Sequence, residues 1–131
     1  MSSAQAVLIA PSNPVISIGP ILRVAGMRAL LAAVKDRVVA VSPLIAGRAI
    51  KGPTVQLMRA QGLQPDALGV ARLYREIASG FVLDAEDAGL MPSIAELGYR
   101  VALRPTLLDD ITLAGEVASA ALYLLRQPAA A

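Results

Sequence analysis

The sequence predicts an α/β fold, with a mainly parallel sheet flanked by helices, and three observations point to it. Short, continuous apolar runs recur along the chain and end in Pro or polar residues, as strands buried on both faces do. Segments of helical periodicity separate these runs, and that alternation is what parallel strands joined by helical crossovers require. At 131 residues, 56% of them hydrophobic, the chain has enough apolar surface for one core and too little length for a two-domain enzyme.

The elements follow in order. Ala6 to Pro11 (AVLIAP) reads as the first buried strand, and Val38 to Pro43 (VVAVSP) repeats its signature. Between them Met27 to Val34 is helical. Gly52-Pro53 opens a further helix over Thr54 to Gln61, with Pro suited to a helix start, and Gly62 closes it. Ala67 to Ala78 makes another. Gly80 to Asp84 (GFVLD) and Tyr99 to Arg104 (YRVALR) are the remaining strands, separated by a helix beginning at Asp87. Its Leu90, Ile94 and Leu97 fall at i, i+4 and i+7, and Gly98 is placed to end it in a left-handed turn. Asp109 and Asp110 start the last helix. Its stripe of Ile111, Ala114, Ala118, Leu122 and Leu125 should lie across the sheet or another helix, leaving residues 127–131 as a frayed tail.

Composition removes whole classes of chemistry. The chain has no His and no Cys, so a Ser-His-Asp triad, a Cys nucleophile, a thiolate zinc site and a disulfide framework are excluded. Any metal must bind through oxygen, which points to magnesium. One Phe, three Tyr and no Trp give no stacking platform for single-stranded nucleic acid. The net charge of +2 comes from cations scattered along the chain, the Arg23/Arg28 and Arg72/Arg75 pairs among them, so no nucleic-acid footprint is expected. No apolar run is long enough to span a bilayer and the start has no basic signal-peptide region, which together predict a cytoplasmic protein without a membrane partner.

Ligands of open parallel sheets bind beyond the carboxyl ends of the strands, and two such ends here carry unusual loops. In the first, Pro11-Ser12-Asn13-Pro14, the Asn13 amide can read a purine edge or a ribose hydroxyl, and Ser12 and Ser17 add hydroxyls. In the second, Gly47 and Gly52 allow close backbone approach while Arg48 and Lys51 supply cations for a phosphate. The same residues are also ordinary turn chemistry, and the residues alone leave both readings open. Asp84, Glu86, Asp87, Asp109 and Asp110 sit at helix starts, where capping explains them better than metal binding. Arg72, Tyr74 and Arg75 read as a solvated helix face.

Four ordered stretches carry a resemblance: IAPSNPVISIGPIL, VAVSPLIAGRAIKGP, ALGVARLYREIASGFVLDAEDA and LGYRVALRPTLLDD. They resemble the C-terminal part of the 2-phospho-L-lactate transferases (CofD, called FbiA in actinobacteria), from about Val7 to the final helix. The resemblance implies a Rossmann-like fold forming the C-terminal portion of a larger CofD-like fold. It implies transfer of a 2-phospho-L-lactyl or phosphoenolpyruvyl group from a guanosine diphosphate-linked donor to the deazaflavin Fo, with magnesium and release of GMP, in making coenzyme F-420. On this reading Ser12, Asn13 and Pro14 face the guanosine, and Gly47, Arg48, Lys51 and Gly52 lie near the phosphates. Ala46 and Arg48 stand where the family more often has Gly and Lys, and Arg48 keeps the charge. Family members are much longer and begin with a Gly-rich phosphate-binding half and its magnesium-holding acids, so the ligands for magnesium are not expected in this chain. The expected partners are therefore the donor, Fo, and either an N-terminal half chain or a second copy covering an open sheet edge. The alternatives are a non-catalytic module binding a guanine nucleotide or phosphorylated metabolite, and an inactive remnant.

Overall fold

In chain order the computed structural model, which describes residues 3–49 and 52–128, begins with strand β1 (Val7–Ile9) and helices α1 (Ile18–Leu22) and α2 (Met27–Ala33). Strand β2 (Val38–Val41) leads into a small antiparallel hairpin of β3 (Leu44–Ile45) and β4 (Arg48–Ala49). Helices α3 (Thr54–Ala60) and α4 (Ala67–Tyr74) precede β5 (Gly80–Leu83). A 3-10 turn (Ala85–Leu90) then runs into α5 (Met91–Glu96), followed by β6 (Arg100–Leu103) and α6 (Ile111–Arg126). The main sheet has the order β1-β2-β5-β6 with every pairing parallel, giving a Rossmann-like α/β fold.

Each of these four strands joins on the same side of the one before it. Right-handed crossovers therefore send the connecting helices to one face, where Ile18, Leu22, Leu31, Met58, Val70 and Ile94 pack on Val38, Ala40, Phe81 and Leu83. Tyr99 closes this core beside Phe81, their rings 5.4 Å apart, and its hydroxyl donates to the Ala71 carbonyl at 2.7 Å. Burial pushes the Tyr99 phenol well above its usual range. The opposite face, formed by Val39, Val41 and Val82, is covered by α6. Leu8 pairs with Val39 on that face but is 44% exposed, because α6 packs chiefly on β2, β5 and β6.

The four strands expected from the sequence are present, and Gly98 ends α5 with φ of 98°. The helix expected over Ala67 to Ala78 ends at Tyr74, and further details differ. The last helix buries Val117, Ala120, Ala121 and Leu124, whereas Ile111 of the expected stripe is 90% exposed and Leu122 44%. The helix is apolar almost all round, so periodicity cannot choose a face; the pair of small alanines lets its axis approach the sheet. The helix expected from Asp87 instead starts at Met91, after a 3-10 turn kinked at Asp87 (φ −98°, ψ 19°), with Pro92 in its first turn. Tyr74, expected on a solvated face, is 1% exposed in the core.

Candidate functional site

At the carboxyl end of β1 the chain turns sharply. The Ser12 N–H donates to the Ala10 carbonyl at 2.7 Å, and the Asn13 Oδ1 then accepts from the N–H groups of Val15 (2.9 Å) and Ile16 (3.2 Å). The Asn13 backbone carbonyl accepts from Ser17 and Ile18, each at 3.0 Å, which carries the turn into α1. Asn13 therefore closes an Asx turn with its oxygen and keeps its Nδ2 donors without a partner among the described residues.

The other walls come from farther along the chain. Beyond β2, the fully buried Ser42 bonds across to Leu44 and fixes Pro43 at the rim, while Gly52 and Pro53 enter from the start of α3. Asp84, 6% exposed at the end of β5, accepts from the Glu86 N–H at 2.9 Å and, through its other oxygen, from the Thr106 N–H (2.8 Å) and Thr106 hydroxyl (3.2 Å). That grip carries the connection from β6 to α6 across the strand ends toward β1. The three walls enclose a cleft of about 460 Å³, within the range of small-molecule sites.

Of the residues singled out from the sequence, Ser12, Asn13, Ser17 and Gly52 line this cleft together. Pro14, Gly47 and Arg48 do not. Pro14 is buried on the far side of the turn, and the β3–β4 hairpin carries Gly47 toward Pro65 and Arg48 toward Glu86. The Arg48–Glu86 pair, 3.8 Å apart and exposed at 77% and 61%, holds its charges in solvent rather than over the cleft. Lys51 lies outside the described residues. Thr54, Thr106, Leu107, Leu108 and Asp109 were not read as site residues. The signal was available for the last four, since they follow the carboxyl end of a strand as the two chosen loops do.

The acids divide by role. Asp84 and Asp110 cap through side-chain oxygens, Asp110 accepting from the Thr112 N–H at 2.6 Å. Asp87 does not cap its own helix; it accepts from the N–H of Ala46 at 3.1 Å, holding the hairpin turn in which Ala46 takes φ of 51°. That backbone suits Gly, and an L side chain is strained there. Burial pushes the Asp87 carboxyl up, the Ala46 N–H opposes this, and the neighbouring Asp84, Asp66 and Glu86 add to the rise. The folded chain thus holds this proton more tightly than the unfolded one, so the contribution of Asp87 to stability falls as pH rises through the carboxylate range. Among the described residues no three His, Cys, Asp or Glu side chains stand together to hold a metal ion, and the cleft offers one carboxylate, that of Asp109. No described helix is long and apolar enough to cross a membrane.

Residues 1–95 match the family model of the 2-phospho-L-lactate transferase CofD. The chain is 41% identical over 112 residues to a 2-phospho-L-lactate transferase of Methanosarcina acetivorans, covering 86% of this chain and 36% of that protein. It is 35% identical over 119 residues to the Methanocaldococcus jannaschii protein of the same name, covering 89% of this chain and 37% of the relative. A phosphoenolpyruvate transferase of Kitasatospora aureofaciens is 34% identical over 128 residues, covering 97% of this chain and 40% of that protein. The chain thus spans somewhat over a third of the length of these curated relatives.

Proposed function

Because the chain belongs to the CofD family of 2-phospho-L-lactate transferases, we propose that its cleft is the donor-side portion of such an enzyme. The reaction in this reading moves a 2-phospho-L-lactyl or phosphoenolpyruvyl group from a guanosine diphosphate-linked donor to the deazaflavin Fo, on the way to coenzyme F-420. A hydroxyl of Fo attacks the distal phosphorus, the bond from that phosphorus to the GMP oxygen breaks, and the hydroxyl proton leaves to solvent. Positioning and charge neutralisation carry most of the work of such a transfer.

The observation that carries the reading is the convergence of Ser12, Asn13 and Ser17 on one cleft beyond the strand ends, in a segment that matches the family. The Asn13 Nδ2 donors and the two hydroxyls suit the oxygen and nitrogen edges of guanosine, and Thr106 stands on the facing wall. With one carboxylate at the cleft, the described residues do not make a magnesium site by themselves, so the metal ligands and the Fo site are assigned to family segments other than the one matched here.

Calorimetric titration with GDP tests the donor-side role through two variants of one residue. Asn13→Asp keeps the oxygen that closes the Asx turn, removes the Nδ2 donors and adds a negative charge. It is expected to weaken GDP binding at least about tenfold while moving the melting temperature by no more than about 2 °C. Asn13→Ala, which also loses the turn, is expected to lower the melting temperature by several degrees at a cost of about 1–2 kcal/mol. GDP affinity that Asn13→Asp leaves unchanged would remove Asn13 from the site.

The engagement of Asp84 and Asp110 in backbone capping favours a second reading, a non-catalytic module that binds a guanine nucleotide or a phosphorylated metabolite. GMP release by the chain supplied with donor, Fo and magnesium would sink it.

A further inference from the structure

Helix α6 packs one side on the sheet and turns the other outward. With Arg104, just past β6, that outer side forms a shallow groove of about 760 Å³ that shares no lining residue with the donor cleft. Glu116, Ser119, Tyr123 and Arg126 lie in it at steps of three, four and three residues, which is one stripe of a helix, and Leu122 flanks them. Tyr123, 60% exposed, and Leu122, 44%, stand side by side, where apolar residues scattered singly would need no explanation. Among the described residues neither Glu116 nor Arg126 makes an ion pair or a side-chain hydrogen bond.

The order of these residues along the helix says what fits against them. Glu116 lies five residues before Ala121 and Arg126 five after it, and Ser119 lies two before and Tyr123 two after. An antiparallel copy of α6, related by a two-fold axis at the level of Ala121, sets Glu116 against the other chain's Arg126 and Tyr123 against the other chain's Ser119. Both contacts then occur twice, each charge meeting its opposite and each large ring meeting a small side chain. Leu122, one residue from the axis, lies beside its own copy. A parallel copy in register would put Glu116 on Glu116 and Arg126 on Arg126.

We propose that this face of α6 binds a second copy of the chain as an antiparallel helix pair. A two-fold interface must be complementary to itself, and the stripe meets that condition in charge and in size. At 1.5 Å of rise per residue the two ion pairs stand about 15 Å apart, bracketing an apolar centre with a polar rim. Two helices meeting over about 12 residues make a small interface, so dissociation constants of about 10–100 µM are expected. The pairing leaves the donor cleft untouched and stands or falls independently of the proposed function.

Sedimentation velocity on the chain from about 5 µM to about 1 mM tests the proposal, with a monomer–dimer equilibrium as the expected result. Glu116→Arg and Arg126→Glu should each weaken dimerisation at least about tenfold, because each sets like charges together in both pairs. Mixed in equal amounts, the two variants should pair with each other about as tightly as the parent chain pairs with itself, since every facing charge is then opposite again. Tyr123→Ala should weaken the dimer several-fold. All three side chains are exposed, so melting temperatures of these variants at low concentration should stay within about 2 °C of the parent. Leu8→Gln, on the uncovered side of β1, should leave the association unchanged. A chain that stays monomeric at the highest concentration, a dimer that neither charge reversal weakens, or reversed variants that fail to pair when mixed would overturn the proposal. So would a dimer lost in Leu8→Gln, which would seat the second copy on the open edge at β1.

Discussion

Gly69→Ala is expected to destabilise the chain by more than about 3 kcal/mol, enough to unfold a domain of this size at moderate temperature. A Cβ built on Gly69 would lie 1.8 Å from the Gln64 carbonyl oxygen and 2.8 Å from its carbon. Both are backbone atoms, so no side-chain rotation relieves the clash. The segment cannot simply swing away, because Asp66 ties it to the start of α4: its Oδ1 accepts from the Gly69 N–H at 2.9 Å, and its own N–H donates to the Gln64 carbonyl at 3.0 Å. Shifting Gln64 therefore loosens the cap of a helix whose Ala67, Leu68, Val70, Ala71 and Tyr74 are buried in the core. Gly115 provides the contrast. It sits inside α6 with nothing within 4 Å of its Cβ position, so Gly115→Ala should stabilise by about 0.5–1 kcal/mol through helix propensity alone. Urea unfolding midpoints of the two variants should move in opposite directions; a Gly69→Ala midpoint equal to that of the parent would show that the turn over α4 is looser than described.

The second large effect is at Asp84. Asp84→Ala removes the acceptor for the Glu86 N–H, the buried Thr106 N–H and the Thr106 hydroxyl together, and is expected to cost about 3 kcal/mol. The consequence reaches beyond stability, because the same carboxylate holds the β6–α6 connection across the strand ends and so builds one wall of the cleft. Amide exchange at Thr106 should accelerate with the loss of stability, and GDP binding should weaken even where the variant is fully folded. Asp84→Asn, which retains one acceptor oxygen, should fall between. An unchanged exchange rate at Thr106 in Asp84→Ala would mean that the connection is held by something else.

The strands were legible because buried parallel strands are short apolar runs with hard stops, and Pro11, Pro43 and Asp84 supply those stops. Helix α1 was not legible: it is five residues long with Pro20 inside it, too short for a period to register. The β3–β4 hairpin was hidden for a similar reason, since its turn is made by Ala46 and Gly47 at positive φ inside a stretch that reads as one loop. That hairpin is also why half of the second candidate loop missed the cleft, because it turns Gly47 and Arg48 back toward Pro65 and Glu86. The rule that ligands sit beyond strand ends picked Ser12, Asn13, Ser17 and Gly52, and the fold brings these four to one cleft. Applied to a third strand end it would have found Thr106 and Asp109, whose approach depends on a bond to Asp84, 22 residues earlier in the chain. Spacing along the sequence carries no trace of that contact. Nor could it show that the Asn13 oxygen is taken by its own turn, leaving only the amide hydrogens to face a ligand.

An amide-resolved NMR titration of the chain with GDP tests whether a guanosine diphosphate moiety sits in the cleft beyond β1 and β2. Saturable shifts are expected at Ser12, Asn13, Ser17, Gly52 and Thr106, with Arg48, Glu86 and the outer face of α6 unmoved. Shifts centred on the hairpin or on α6, or no saturable shift at all, would contradict it.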